Sequence, residues 1–187
     1  MRNHKTRNNN KTMYILMGEA GAGKDAFAKL LERQATAKNK NVVIHTVTFA
    51  RKLKQELMGL GWDGQKDERG RTFLQSIGKA MKAYHGDSYY ASVAFEGMEP
   101  KSGVANMWIV TDARFIVEFN YAKEWAKAHG IDVTIIRIDR DRDPGWKSAL
   151  TSEQKKDVSE TEWRAISPDI VIHNDGIDPD FGGQFRI

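Results

Sequence analysis

The sequence predicts an α/β protein of three layers, a doubly wound, mostly parallel five-stranded sheet with helices on both faces. Three observations predict it. Apolar, β-branched, nearly continuous runs of strand length recur at Met13 to Met17, Val42 to Phe49, Trp108 to Thr111, Val133 to Ile138 and Ile170 to Ile172, as expected of parallel strands covered on both sides. Longer stretches with helical spacing stand between them, so β and α alternate. The 187 residues suffice for one domain, or one with a small lid, and contain neither an internal repeat nor an interdomain linker.

The first strand follows the polar stretch MRNHKTRNNNKT, which has three consecutive asparagines and no aliphatic residue between Met1 and Met13. Residues 1–12 therefore read as a disordered basic tail rather than a nucleic-acid-binding arm, and the domain as 13–187. Helix follows over Asp25 to Lys38, with Phe27, Leu30 and Leu31 on one face. Leu53 to Leu60 and Thr72 to Tyr84 read as two more helices, separated by the polar, glycine-bearing segment Gly61 to Arg71. Val117 to His129 repeats the helical pattern with Phe119, Ala122, Trp125 and Ala126, and Gly130 then looks like its C-terminal cap. The charged segment from Asp139 to Ser167, with DRDRDPGW and SETEW, fits the sheet poorly. It reads as a short helical lid over approximately 139–167.

Composition narrows the function classes. No window reaches the ~18 unbroken apolar residues of a membrane-spanning helix. The absence of cysteine excludes disulfides, thiol nucleophiles and thiolate metal sites and is compatible with the cytosol. The short apolar run after the polar tail is no secretion signal. The net charge of +4 admits nucleic acid or phosphorylated small molecules. Outside the tail the basic residues scatter singly among carboxylates, which suits separate phosphate contacts and disfavours nucleic acid.

The strongest chemical signal is Gly18-Glu19-Ala20-Gly21-Ala22-Gly23-Lys24-Asp25, with Ala26 behind it, after a strand and opening a helix. This GxxxxGK spacing is that of a phosphate loop. Glycines let successive N–H groups point inward, and the helix adds its positive end, giving a cage for a di- or triphosphate such as that of ATP. Lys24 would reach the β/γ oxygens. Asp25 replaces the usual hydroxyl residue, and a carboxylate can hold hydrated Mg2+ in its stead.

A kinase must also hold its acceptor, and a monophosphate acceptor requires further cations opposite the loop. Phe49 to Lys54 (FARKLK) follows the second strand, while Arg71 begins a helix with Gln75 one turn on. The third strand ends in Asp112-Ala113-Arg114 with Glu118 beyond, at a strand end where ligands bind in such sheets. Asp112 can orient magnesium-bound water or the acceptor, or cap a helix, and Arg114 can pair with a phosphate. Arg137, Arg140 and Arg142 straddle the start of the lid, with Arg140 the preferred candidate to neutralise the transferring phosphoryl group; a salt-bridged turn with Asp139, Asp141 and Asp143 is the alternative. Asn174 and Gly176 lie in a tight turn after the last strand, where backbone can meet a nucleotide base.

Together these motifs resemble the deoxynucleoside-monophosphate kinases of the bacteriophage type, within the nucleoside-monophosphate-kinase branch of P-loop proteins. The resemblance runs through GEAGAGKD, FARKLK, RTFLQSIG, HGDSYYASVAF, the DxR with its downstream Glu, the SETE of the lid and IHNDG, from about Met13 to Gly176. It implies ATP- and magnesium-dependent phosphorylation of a deoxynucleoside 5′-monophosphate in the cytoplasm, a host's if phage-encoded, and leaves room for a homodimer. It puts Lys24, Asp112 and Arg140 in catalysis, residues 18–26 with Arg137, Asn174 and Gly176 at ATP, and Asp25 and Asp112 at the metal. Phe49, Lys54, Arg71, Gln75, Tyr89, Tyr90, Asp112, Arg114 and Glu160 fall at the acceptor, the tyrosines stacking on its base. The lid departs from the family in being short and in having Asp157 or Val158 where a histidine is expected. The alternatives are a P-loop kinase for dephospho-coenzyme A or phosphomevalonate, and an ATPase module that controls a nucleic-acid or protein partner.

Overall fold

The computed structural model describes residues 10–187 except Arg142, Pro144 and Ala149. Five strands, β1 (Lys11–Met17), β2 (Val43–Val47), β3 (Asn106–Val110), β4 (Asp132–Asp139) and β5 (Ile170–His173), form one sheet in the order β2-β3-β1-β4-β5. Every pairing is parallel, so the expected doubly wound α/β class is observed. Lys11 and Thr12, expected in the tail, instead belong to β1, where they pair with Asn106 and Met107. Residues 1–9 of the expected tail, like Arg142, lie outside the described residues.

Side chains of β1 alternate between two cores, as strand geometry requires. Met13, Ile15 and Met17 face one layer with Trp108, Val110 and the helices α4 (Tyr89–Phe95) and α5 (Ile116–Ala128). Tyr14 and Leu16 face the other with Ile109, Ile136, Ile138 and the helix α1 (Lys24–Lys38). The C-terminal segment completes this second layer through Phe181, Phe185 and Ile187. Gly130, with φ 65°, follows α5 in the left-handed conformation its expected capping role requires.

Two helices begin earlier than their apolar spacing predicts. The helix α2 (Ala50–Gly59) starts at the residues whose amides bind Asp112, and α3 (Glu68–His85) starts where Asp67 accepts from the amide of Gly70. Caps, rather than hydrophobic periodicity, set both starts. The sequence also does not mark α4 as a helix, since four of its seven residues are aromatic or β-branched. Burial of Tyr90, Ala91, Ala94 and Phe95 stabilises it.

Between β4 and β5 the excursion carries 3-10 turns at Gln154–Lys156 and Glu162–Ala165 around α6 (Val158–Thr161). Trp163 anchors it in the core shared by α4 and α5. Because all strands run the same way, the segments following β1, β3, β4 and β5 emerge at one edge. β1 lies between β3 and β4, the point at which the winding reverses and a crevice opens.

Candidate functional site

The loop from Gly18 to Gly23 leaves β1 at this crevice. Gly18, Gly21 and Gly23 have φ of 143°, 84° and 108°, values that a side chain makes costly. At Gly18 a Cβ would also collide with the Ile138 carbonyl at the end of β4. The glycine spacing is thus required by both backbone conformation and close packing.

Side chains from three other segments hold the loop's carbonyl oxygens. Lys24 Nζ donates to Gly18 O and Glu19 O at 2.8 and 2.9 Å. Arg140 Nη1 donates to Gly21 O at 3.2 Å, while its Nε and Nη2 bind Asp143 Oδ2. Asn174 Nδ2 donates to Ala22 O at 2.8 Å. Burial pushes Lys24 down from 10.5 to about 8, helped by the nearby positive charge of Arg114 and opposed by Asp25, Asp112 and Glu19.

Asp112 is half-buried at the end of β3. Its Oδ1 accepts from Phe49 N at 2.8 Å and its Oδ2 from Ala50 N at 3.1 Å, so it caps α2 from across the sheet. Burial raises its pKa against these hydrogen bonds and the pull of Lys54 and Arg114. Arg114 donates to Glu160 of α6 and to Ser159 O. Glu160 is buried, and its Oε2 has no hydrogen-bond partner among the described residues.

Around Arg114 the charges converge. Lys66 lies close enough to Lys54, Arg71 and Arg114 that their repulsion, after burial, lowers its pKa, with Asp25 opposing. Arg71 likewise disfavours the charge on Arg114, whose main perturbation is burial. Lys54, Lys66, Arg71 and Arg114 thus form a group of neighbouring cations, and Arg114 also acts on Lys24 of the loop. Such a group makes a positive patch that favours an anionic ligand.

Glu118 lies behind Arg114 and accepts from the amides of Arg114 and Phe115 at 2.8 and 3.1 Å. Burial lifts its carboxyl from 4.5 to about 7 despite those bonds. Between pH 4.5 and 7 the folded chain therefore binds a proton that the unfolded chain releases, so stability falls as pH rises through that window. In Glu118→Gln, urea unfolding midpoints measured between pH 5 and 7.5 are expected to lose this component of the slope.

The excursion is docked onto the phosphate loop. Ser148 Oγ donates to Glu19 Oε1 at 2.5 Å, and Lys155 and Arg164 approach the same carboxylate at 3.9 and 4.0 Å. Glu162 accepts from the amide of Ile116 at 2.6 Å. A side chain at Gly21 would meet the Trp146 indole at 3.5 Å. The pairing of Arg140 with Asp143 is the salt bridge offered as the alternative for this arginine, and the same guanidinium also lies on the loop through Gly21 O.

Several expected contacts need correction. The Phe49 side chain is 2% exposed and belongs to the core, so only its backbone serves the site. Tyr90 is 3% exposed and its hydroxyl donates to Glu56 Oε2 at 2.9 Å, which removes it as a stacking surface. Tyr89 stacks on His85 with ring centroids 4.3 Å apart. Asn174 is buried and grips the loop backbone instead of meeting a base. Gly176 packs against Arg140 and Asp143, and Arg137 pairs with Asp139 at 3.0 Å. Gln75 lies half-buried one turn beyond Arg71 on α3; Asp25 and Ala26 are exposed on the first turn of α1. Lys66 and Trp146 are additions that sequence spacing does not announce, as each lies in an irregular segment.

The donor set fits a hard cation that keeps most of its water. Asp25 offers an exposed carboxylate beside Lys24, whereas both oxygens of Asp112 already accept amides. Among the described residues no three His, Cys, Asp or Glu side chains group as a metal cage. Mg2+ ordinarily takes one or two carboxylates plus water and phosphate oxygens.

No protein-family model matches the sequence, and no curated protein matches it. The structure is similar to solved structures of the APS kinase CysC of Mycobacterium tuberculosis. The complex of that enzyme with AMPPNP and APS aligns with a TM-score of 0.48 at 16% identity, over 94% of this chain and 95% of that one. A single-residue mutant of it aligns with a TM-score of 0.44 at 14% identity, over 94% of each chain. No helix among the described residues is long and apolar enough to cross a membrane.

Proposed function

We infer that this chain is an ATP-dependent phosphotransferase whose acceptor itself carries a phosphate, with a deoxynucleoside 5′-monophosphate as the preferred class. One observation carries the reading: Lys54, Lys66, Arg71 and Arg114 gather as a second group of cations beside the phosphate loop, with Arg114 acting on Lys24 and Lys66 on Asp25. A hydrolase has only water to position opposite its loop. Arg114 is already paired with Glu160, and Lys54, Lys66 and Arg71 beside it suit a second anion.

In this reading the loop amides and Lys24 hold the β/γ-phosphates of ATP, and the second group holds the acceptor phosphate so that its oxygen lies in line with the γ-phosphorus. Asp25 would hold Mg2+, directly or through water; when bound, the ion neutralises charge between the β- and γ-oxygens. Asp112 keeps α2, and with it Lys54, against the loop. Arg140 reaches the loop from the excursion, where it can offset negative charge as the phosphoryl group moves. The docked excursion excludes water that would otherwise compete as acceptor.

Lys24 provides a test of the loop. With its pKa near 8, it is half deprotonated at pH 8, and a bound triphosphate restores the charged form. ATP binding at pH 8 should therefore take up about half a proton, read by calorimetry in buffers of different ionisation enthalpy. Lys24→Met should abolish that uptake. The acceptor is tested by ADP production across deoxynucleoside monophosphates, dephospho-coenzyme A and phosphomevalonate. Stimulation by a monophosphate supports the reading, stimulation only by another phosphorylated acceptor reassigns the substrate, and indifference to all of them overturns the kinase assignment.

A further inference from the structure

The turn that follows β5 is built onto the phosphate loop. Asn174 is 6% exposed, and its amide and both side-chain polar atoms are hydrogen-bonded. Its amide donates to Asp139 O at 2.7 Å, its Oδ1 accepts from Gly176 N at 2.8 Å, and its Nδ2 donates to Ala22 O at 2.8 Å. A Cβ on Gly23 would strike Asn174 Nδ2 and come within 3.6 Å of the Phe181 ring. Phe181 itself holds φ 52°, the only positive φ on a non-glycine among the described residues, and packs edge-on against Phe27 of α1 at 5.2 Å. Gln184 ties the far end of the turn back to β5, accepting from His173 N at 2.9 Å and donating to His173 O at 2.7 Å.

The hydrogen bond to Ala22 has a directional consequence. A trans peptide is planar, with its C=O and N–H pointing opposite ways. Holding the Ala22 carbonyl on Asn174 therefore turns the Gly23 N–H the other way, away from Asn174. Gly23 is the last loop residue before α1, and its left-handed φ of 108° leaves that peptide free of side-chain constraint of its own. The orientation of this donor is thus set from outside the loop, by a residue 152 positions away.

We propose that Asn174 is a positioning residue for the phosphate cage: its side-chain N–H fixes the Ala22–Gly23 peptide so that the Gly23 amide faces a bound phosphate, with Phe181 bracing the same point. This rests on the reading of Gly18 to Lys24 as an ATP site. The acceptor cations are untouched, so the effect should fall on ATP and spare the acceptor.

The decisive variant is Asn174→Asp. It preserves shape and the acceptor for Gly176 N but replaces the donor by a carboxylate oxygen that repels the Ala22 carbonyl. When protonated, the new carboxyl again donates. Affinity for a non-hydrolysable ATP analogue, measured by calorimetry from pH 5 to 8 on native protein, Asn174→Asp and Asn174→Ala, should fall at least tenfold in both variants at pH 8. It should recover toward native in Asn174→Asp alone as pH falls, with the urea midpoints of all three recorded alongside. If the native chain binds the analogue and Asn174→Asp either binds equally at pH 8 or shows no recovery beyond that of Asn174→Ala at low pH, the positioning role is wrong. If the native chain does not bind it, the ATP-site reading fails instead.

Discussion

Replacing Lys24 by alanine is expected to lower phosphoryl transfer by about two to three orders of magnitude, the usual loss when one preorganised donor to developing charge is removed, while the fold persists. The side chain spends two hydrogen bonds on the carbonyls of Gly18 and Glu19, each worth roughly 0.5–1.5 kcal/mol net. Against that, its ammonium is held in a desolvated place that depresses its pKa to about 8, so its charged form is disfavoured by folding at neutral pH. The two contributions oppose each other, and the urea midpoint at pH 7 should move little. The sign of the pH dependence follows from the same shift. Between pH 8 and 10.5 the unfolded chain binds the proton that the folded chain has lost, so native stability gains a component that rises with pH; Lys24→Ala should lack it. Steady-state turnover and unfolding curves on the same samples check both halves.

Replacing Arg114 by alanine is expected to be the most damaging substitution for stability. Its guanidinium pairs with Glu160, whose side chain is 5% exposed, and removing one partner of a buried pair typically costs about 3–5 kcal/mol because the other charge is left stranded. Glu160 also carries α6, so the excursion should loosen from α5. The double variant Arg114→Ala/Glu160→Gln removes the stranded charge and should recover most of the loss in urea unfolding. Its remaining defect then reports on the acceptor site, as a raised acceptor KM with ATP affinity preserved. An equal loss of ATP affinity in the double variant would move Arg114 out of the acceptor site.

What the sequence discloses divides along physical lines. Strands such as Trp108 to Val110, buried on both faces, are legible because continuous apolar runs have few other uses. The loop is legible because Gly18, Gly21 and Gly23 meet backbone demands that no other residue meets cheaply. Contacts between distant residues are not. Asp112 reads as a strand-end acid or a cap for the next helix, yet it caps α2, some 62 residues earlier. Asn174 reads as a base contact because it ends a strand, yet its partner is the loop backbone. Lys66 gives no periodic signal, and its importance comes from Lys54, Arg71 and Arg114 arriving at the same place. Tyr90 shows the converse error: an aromatic residue near a motif is more often core than platform.

The central claim is that the phosphoryl group leaves ATP for a phosphate-bearing acceptor held by the second cation group. The most direct measurement follows the fate of label from γ-labelled ATP in the presence of each deoxynucleoside monophosphate. Label accumulating in the corresponding diphosphate, and falling sharply in Arg71→Ala while ATP binding persists, is the predicted result. Label released only as inorganic phosphate, at a rate unchanged by any phosphorylated acceptor, would contradict it.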